Sequence, residues 1–137
     1  MAVIATTRRF HCLMIDDNSM NLKIGKHRIE SIRGVVCDCS TSGQEGVAKY
    51  KLNHHECVVL DYQMPGMDGM QTAKEIFSFD RNSFILGFTS EENSTLIETW
   101  RSVGLHAVLP KKWDALEEAI RSRITSVVAS NTETTSA

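Results

Sequence analysis

No apolar run in this 137-residue chain approaches the roughly 20 residues of a membrane helix, which excludes a helical span. Charge of one sign is lacking as well. The 15 basic and 17 acidic residues leave a formal charge of -2, with no electrostatic bias toward nucleic acid or an anionic membrane surface. Arg8-Arg9 stand before a short apolar run, but no small-residue cleavage site follows, which argues against secretion. Repeats, linkers and low-complexity blocks are absent. The length is enough for one proper core and too little for two, so a single domain is expected. Cysteine is present four times, as Cys12, Cys37, Cys39 and Cys57, with His54-His55 close to the last. The Cys37-x-Cys39 pair lacks the two-residue spacer of zinc knuckles, and the other positions lie in or beside apolar runs, where cysteine behaves as a small buried hydrophobe. Free thiols in a reducing, intracellular compartment are the expectation.

What the chain does contain is ordinary globular material, 42% hydrophobic and 23% charged. Five short apolar runs recur at Phe10–Ile15, Val35–Cys39, Cys57–Leu60, Phe84–Phe88 and Ala107–Leu109. Between them lie segments with helical spacing. Met20–Arg33 ends at Gly34, a natural helix stop. Gly43–Leu52 and Met70–Phe79 follow, then Glu91–Val103 with Ser90 as cap and Gly104 as stop. In the last segment Asp114 and Glu117 have capping-box spacing, ahead of one apolar face from Leu116 to Val127. Nearly continuous apolar strands alternating with helices indicate an α/β domain, a doubly wound five-stranded parallel sheet of (βα)5 type. Residues 9–128 form this domain. Residues 1–8 and 129–137, small and polar, are expected to be flexible N- and C-terminal segments.

In an open parallel sheet, ligands bind beyond the carboxyl ends of the strands, where strand order reverses. The first strand ends in Asp16-Asp17, the third in Asp61, the fourth in Thr89-Ser90, and the fifth runs into Pro110-Lys111-Lys112. Each has an ordinary explanation as a helix cap or a solvated charge. Their arrival at one edge is what points to chemistry. Crowded carboxylates repel, and a divalent cation relieves that repulsion best; an all-oxygen set of Asp17, Asp61 and a backbone carbonyl suits magnesium better than zinc. A metal and a lysine that neutralise a transferring phosphoryl group, a hydroxyl that hydrogen-bonds it, and a carboxylate in line to attack make up a phosphoryl-transfer site with Asp61 as nucleophile.

The same residues resemble the receiver domains of two-component response regulators, over about residues 9–128. The resemblance rests on Asp16-Asp17, the run Leu60-Asp61-Tyr62-Gln63-Met64-Pro65-Gly66-Met67-Asp68-Gly69, Thr89-Ser90 and Lys111. It implies a flavodoxin-like fold with Asp61 as phosphoacceptor. It also implies magnesium held by Asp16, Asp17, Asp61 and the backbone carbonyl of Gln63, Thr89 as the hydroxyl that moves on phosphorylation, and Lys111 as phosphate ligand. Lys111 is favoured over Lys112 by counting from Gly104. Two positions depart from the family pattern: the proline precedes the lysine instead of following it, and Val108 stands where many members carry a switch tyrosine or phenylalanine.

The function so implied is a stand-alone receiver that takes a phosphoryl group from phosphohistidine, on a histidine kinase or a histidine phosphotransfer protein, and signals by altered binding. Its downstream protein target would dock on the face of helix four, strand five and helix five. Such a protein is a self-phosphorylating acceptor with autodephosphorylation, more than a turnover enzyme. It is expected to be a cytoplasmic monomer, nuclear as well if eukaryotic, without nucleic-acid or membrane partners. The alternatives are a phosphatase or phosphate sink in a phosphorelay, with Gln63 and Glu91 flanking the hydrolytic water, and a receiver excised from a hybrid histidine kinase.

Overall fold

The structure is a computed structural model that describes residues 9–136, with residues 130–136 as backbone only. The expected flexible segment 1–8 lies outside the described residues. Five strands and five helices alternate: β1 (Phe10–Ile15), α1 (Ser19–Glu30), β2 (Val35–Ser40), α2 (Gly43–Asn53), β3 (Cys57–Leu60), α3 (Gly69–Phe79), β4 (Ile85–Thr89), α4 (Ser94–Ser102), β5 (Ala107–Pro110) and α5 (Trp113–Ser136). All strands are parallel, in the order β2-β1-β3-β4-β5. The sheet is doubly wound, and its order reverses between β1 and β3, as a ligand crevice at that point requires.

Successive strand residues point to opposite faces, so each strand feeds two cores. Cys12, Met14, Val59, Leu86 and Phe88 pack with Leu22 and Ile29 of α1 and with Leu116 and Ile120 of α5. Leu13, Ile15, Val58, Leu60 and Ile85 pack on the other face with Val47 and Tyr50 of α2, Ala73 and Ile76 of α3, and Trp100 of α4. Strands β3 and β4 are buried throughout, on both faces, which is why they read as unbroken apolar runs, whereas the edge strands β2 and β5 are partly buried. The four cysteines are free, three of them buried in strands.

Several boundaries differ from the sequence expectation, each for a local reason. Helix α1 stops at Glu30 because the Ser31 hydroxyl and amide turn back onto the Arg28 carbonyl, and Gly34 (φ 82°) makes the turn into β2. Helix α4 starts at Ser94, capped by Asn93 and not by Ser90. The amide of Glu91 is bonded to the Thr89 hydroxyl, and those of Glu92 and Asn93 to the Glu91 carboxylate, which keeps residues 91–93 out of the helix. Asp114 and Glu117 do not close a capping box: both carboxylates hold Arg28 of α1, at 3.3 and 2.5 Å, and pin α5 across α1. Helix α5 continues to Ser136, so residues 129–136, read as a tail, are helical backbone here.

Candidate functional site

The site is assembled by strand register. Ile15 pairs with Leu60, so the next residues, Asp16 and Asp61, emerge level at the carboxyl edge of adjacent strands. The Asp61 amide bonds to the Ile15 carbonyl at 3.0 Å and the Asp16 amide to the Ser40 carbonyl at 3.1 Å, which fixes the backbone beneath both carboxylates. On the far side of β4, Thr89 pairs with Pro110 and places Lys111 directly beyond the edge. The Lys112 amide then bonds to the Pro110 carbonyl at 2.7 Å, a tight turn that leaves Lys112 exposed and Lys111 over the cleft. Of the two candidate lysines, the structure brings Lys111 to the carboxylates.

Asp16 is buried and richly held: its side chain accepts from the Asn18 amide at 2.9 Å, from the Asn21 side chain at 3.3 Å and from the Lys111 ammonium at 3.0 Å. Lys111 also reaches Asp61 at 3.2 Å. Asp17 is exposed at the rim, yet carboxylate oxygens of Asp16, Asp17 and Asp61 lie within 4.8 Å of one another. Burial, and after it the charge of Asp16, push the Asp61 carboxyl above the ordinary range, against the pull of Lys111 and the Tyr62 amide. Burial also opposes the Lys111 charge, but its bonds to Asp16 and Asp61 prevail and hold the ammonium above its ordinary value. Lys111 thus offsets two of the three clustered carboxylates, and among the described residues that line the cleft it is the one ammonium. An anionic set made wholly of hard oxygens fits a small divalent cation such as magnesium, with Asp16, Asp17 and Asp61 as its side-chain donors.

The remaining expected residues line the same open cleft of about 400 Å³, Gln63 on the β3–α3 loop and Thr89 and Ser90 at the end of β4. Thr89 is buried with its hydroxyl on the Glu91 amide at 3.0 Å. The Gln63 amide group meets the Glu91 carboxylate across the mouth at 3.5 Å. The loop that carries Gln63 needs glycine twice. Gly66 has a φ of 78°, in the region glycine favours. A Cβ at Gly69 would stand 2.4 Å from the Asp61 carbonyl oxygen, so only glycine lets the loop close back on the nucleophile's strand.

Two sets of supporting residues were not anticipated. Asn18 caps α1 through the Asn21 amide, while Asn21 braces Asp16; the signal was the Asn-x-x-Asn spacing directly after the acidic pair. Trp100 bonds to the Gly69 carbonyl at 3.1 Å from the opposite helix, and no local pattern announces it.

Comparison with known proteins agrees with this fold. Residues 12–124 match the response regulator receiver domain. Hybrid signal transduction histidine kinase K of Dictyostelium discoideum is 26% identical over 121 residues, which are 82% of this chain and 10% of that protein, so the chain spans about a tenth of that relative. The chemotaxis protein CheY of Treponema pallidum is 26% identical over 121 residues, covering 87% of this chain and 83% of the relative. Among solved structures, the CheX-CheY-BeF3-Mg+2 complex of Borrelia burgdorferi superposes with a TM-score of 0.77 at 26% identity, over 91% of this chain and 93% of the other. A LuxR-family response regulator of Aurantimonas shares the fold, with a TM-score of 0.80 at 21% identity over 86% of each chain. With a doubly wound sheet, an acidic pocket at its switch point and a family match over nearly the whole domain, this chain belongs to the response regulator receiver domain family of two-component signalling.

Proposed function

We propose that the protein accepts a phosphoryl group on Asp61 from phosphohistidine, with magnesium, and signals by a change in partner binding. The observation that carries this reading is the placement of Lys111 between Asp16 and Asp61, at 3.0 and 3.2 Å, beside the rim carboxylate of Asp17. The domain is taken to extend over residues 9–128, with helix α5 running on beyond it to Ser136, and its place is the cytoplasm, as a monomer.

The work of this chain's residues follows from their positions. An ionised Asp61 oxygen attacks phosphorus; an O–P bond forms, the N–P bond to the donor imidazole breaks, and the departing nitrogen takes a proton from solvent. Lys111 neutralises charge on the transferring group, and the Thr89 hydroxyl donates to a phosphoryl oxygen once it leaves the Glu91 amide. Asp16, Asp17, Asp61 and the Gln63 carbonyl would hold a divalent cation, which would supply further charge neutralisation. Movement of Thr89 disturbs the loop 90–93 that leads into α4, and the signal passes to a target on the face of α4, β5 and α5. Strand β5, at the sheet edge, is only partly buried. The donor is a histidine kinase or a histidine phosphotransfer protein. Gln63 and Glu91 flank the mouth and govern entry of the hydrolytic water, hence whether Asp61 acts as a lasting switch or as a phosphate sink. Incubation with acetyl phosphate and magnesium should add the mass of one phosphoryl group, and Asp61→Asn should remain unmodified; an equal gain in that variant would refute the assignment.

A further inference from the structure

Helix α4 is tied to the body of the domain by a single buried side chain, Trp100. That side chain sits in a slot made by two missing side chains. A Cβ at Gly87 of β4 would lie 2.8 Å from the indole ring, and one at Gly69 would lie 2.9 Å from it. Trp100, 1% exposed, fills the space both glycines leave. Its ring N–H donates to the Gly69 carbonyl at 3.1 Å, while the Gly69 amide donates to the Tyr62 carbonyl at 2.7 Å. The Tyr62 ring meets the indole edge-on, with centroids 5.0 Å apart. Trp100 therefore grips the two ends of the loop that starts at Asp61 and closes at Gly69, from the element that anchors α4.

We propose that Trp100 is a positioning residue for Asp61, which holds the phosphoacceptor loop closed and carries its state directly to α4. This rests on the reading of Asp61 as phosphoacceptor. Thr89 reaches α4 through the loop ahead of its first turn, whereas Trp100 stands in its last turn, so the helix is held at both ends by groups that sense the site. The indole packs edge-on against the aromatic ring of the residue that follows Asp61 in the acceptor loop. Loss of the ring N–H removes one hydrogen bond that holds the loop, equivalent to a rate effect of about five-fold when the closed loop is needed for transfer.

The test uses the full chain with Trp113→Phe, which leaves Trp100 as the sole tryptophan of the two. Acetyl phosphate and magnesium are added, with intact mass and tryptophan emission followed together. Emission should change with the same rate constant as the mass gain and stay constant in Asp61→Asn. Trp100→Phe, which keeps a ring, and Gly87→Ala, which displaces the indole without touching Asp61, should each accept about five-fold more slowly. Ile29→Val, a truncation on the opposite face of the sheet, should accept at the wild-type rate, which separates positioning from general destabilisation. Mass gain with unchanged emission, or Trp100→Phe accepting at the wild-type rate, or Ile29→Val slowing equally, overturns the inference and leaves the phosphoacceptor reading intact. No mass gain in the parent protein overturns that reading and this inference together.

Discussion

Asp61 is 8% exposed and shares its pocket with the buried Asp16, a poor environment for a carboxylate. With an effective dielectric of 20, attraction to Lys111 at 3.2 Å is worth ~5 kcal/mol to the ion. Repulsion from Asp16, at a separation of at most 4.8 Å, returns ~3.5 kcal/mol or more. Desolvation adds several kcal/mol against the charge, leaving a net deficit on the order of 1–2 kcal/mol at neutral pH. Asp61→Asn keeps the shape, leaves Lys111 on Asp16 and removes the deficit, so the metal-free variant should be more stable than wild type by that amount. The pH dependence follows from the upward shift of the Asp61 carboxyl. Its folded-state pKa lies above the unfolded one, so wild type loses stability as pH rises through that interval, and the asparagine variant does not. The advantage of Asp61→Asn should be full at pH 7.5 and shrink as pH falls through the raised pKa toward the ordinary value of 3.8. Urea titrations in EDTA over pH 7.5 to 4 measure this. A variant less stable than wild type, or a gain independent of pH, would refute the electrostatic account of the pocket.

Asp17 is exposed, so Asp17→Asn should leave metal-free stability within about 0.5 kcal/mol of wild type. Magnesium at one hundred times its dissociation constant should stabilise wild type by ~2.7 kcal/mol and this variant far less, as read from urea midpoints with and without the metal. Lys111→Ala should reduce phosphoryl acceptance at least ten-fold by intact-mass kinetics while Lys112→Ala stays near wild type; the reverse order would show that the wrong lysine had been assigned. Thr89→Ala should still be modified at Asp61 but lose phosphorylation-dependent partner binding in a pull-down with and without acetyl phosphate.

The strands were legible because the inner ones are buried on both faces, and the acidic residues at their ends were legible because an apolar run that stops in aspartate marks the sheet edge. What was hidden depended on distant partners. Ser90 and Asn93 are equally good caps by local chemistry, and Asn93 prevails because Thr89 and Glu91 take the amides between them. Asp114 and Glu117 have capping-box spacing, yet Arg28, more than eighty positions away, takes both. Lys111 and Lys112 are distinguished only by the pairing of Thr89 with Pro110 and the turn that follows. Trp100 gave no sign of its role, since its slot is made by glycines on two other elements.

The central claim is that Asp61 itself carries the phosphoryl group. Phosphorylation with acetyl phosphate and magnesium, reduction of the acyl phosphate with borohydride and peptide sequencing by mass spectrometry locate the modified residue as homoserine. The account predicts homoserine at position 61 and unaltered aspartate at positions 16 and 17. Homoserine at either of those positions, with Asp61 intact, would contradict it.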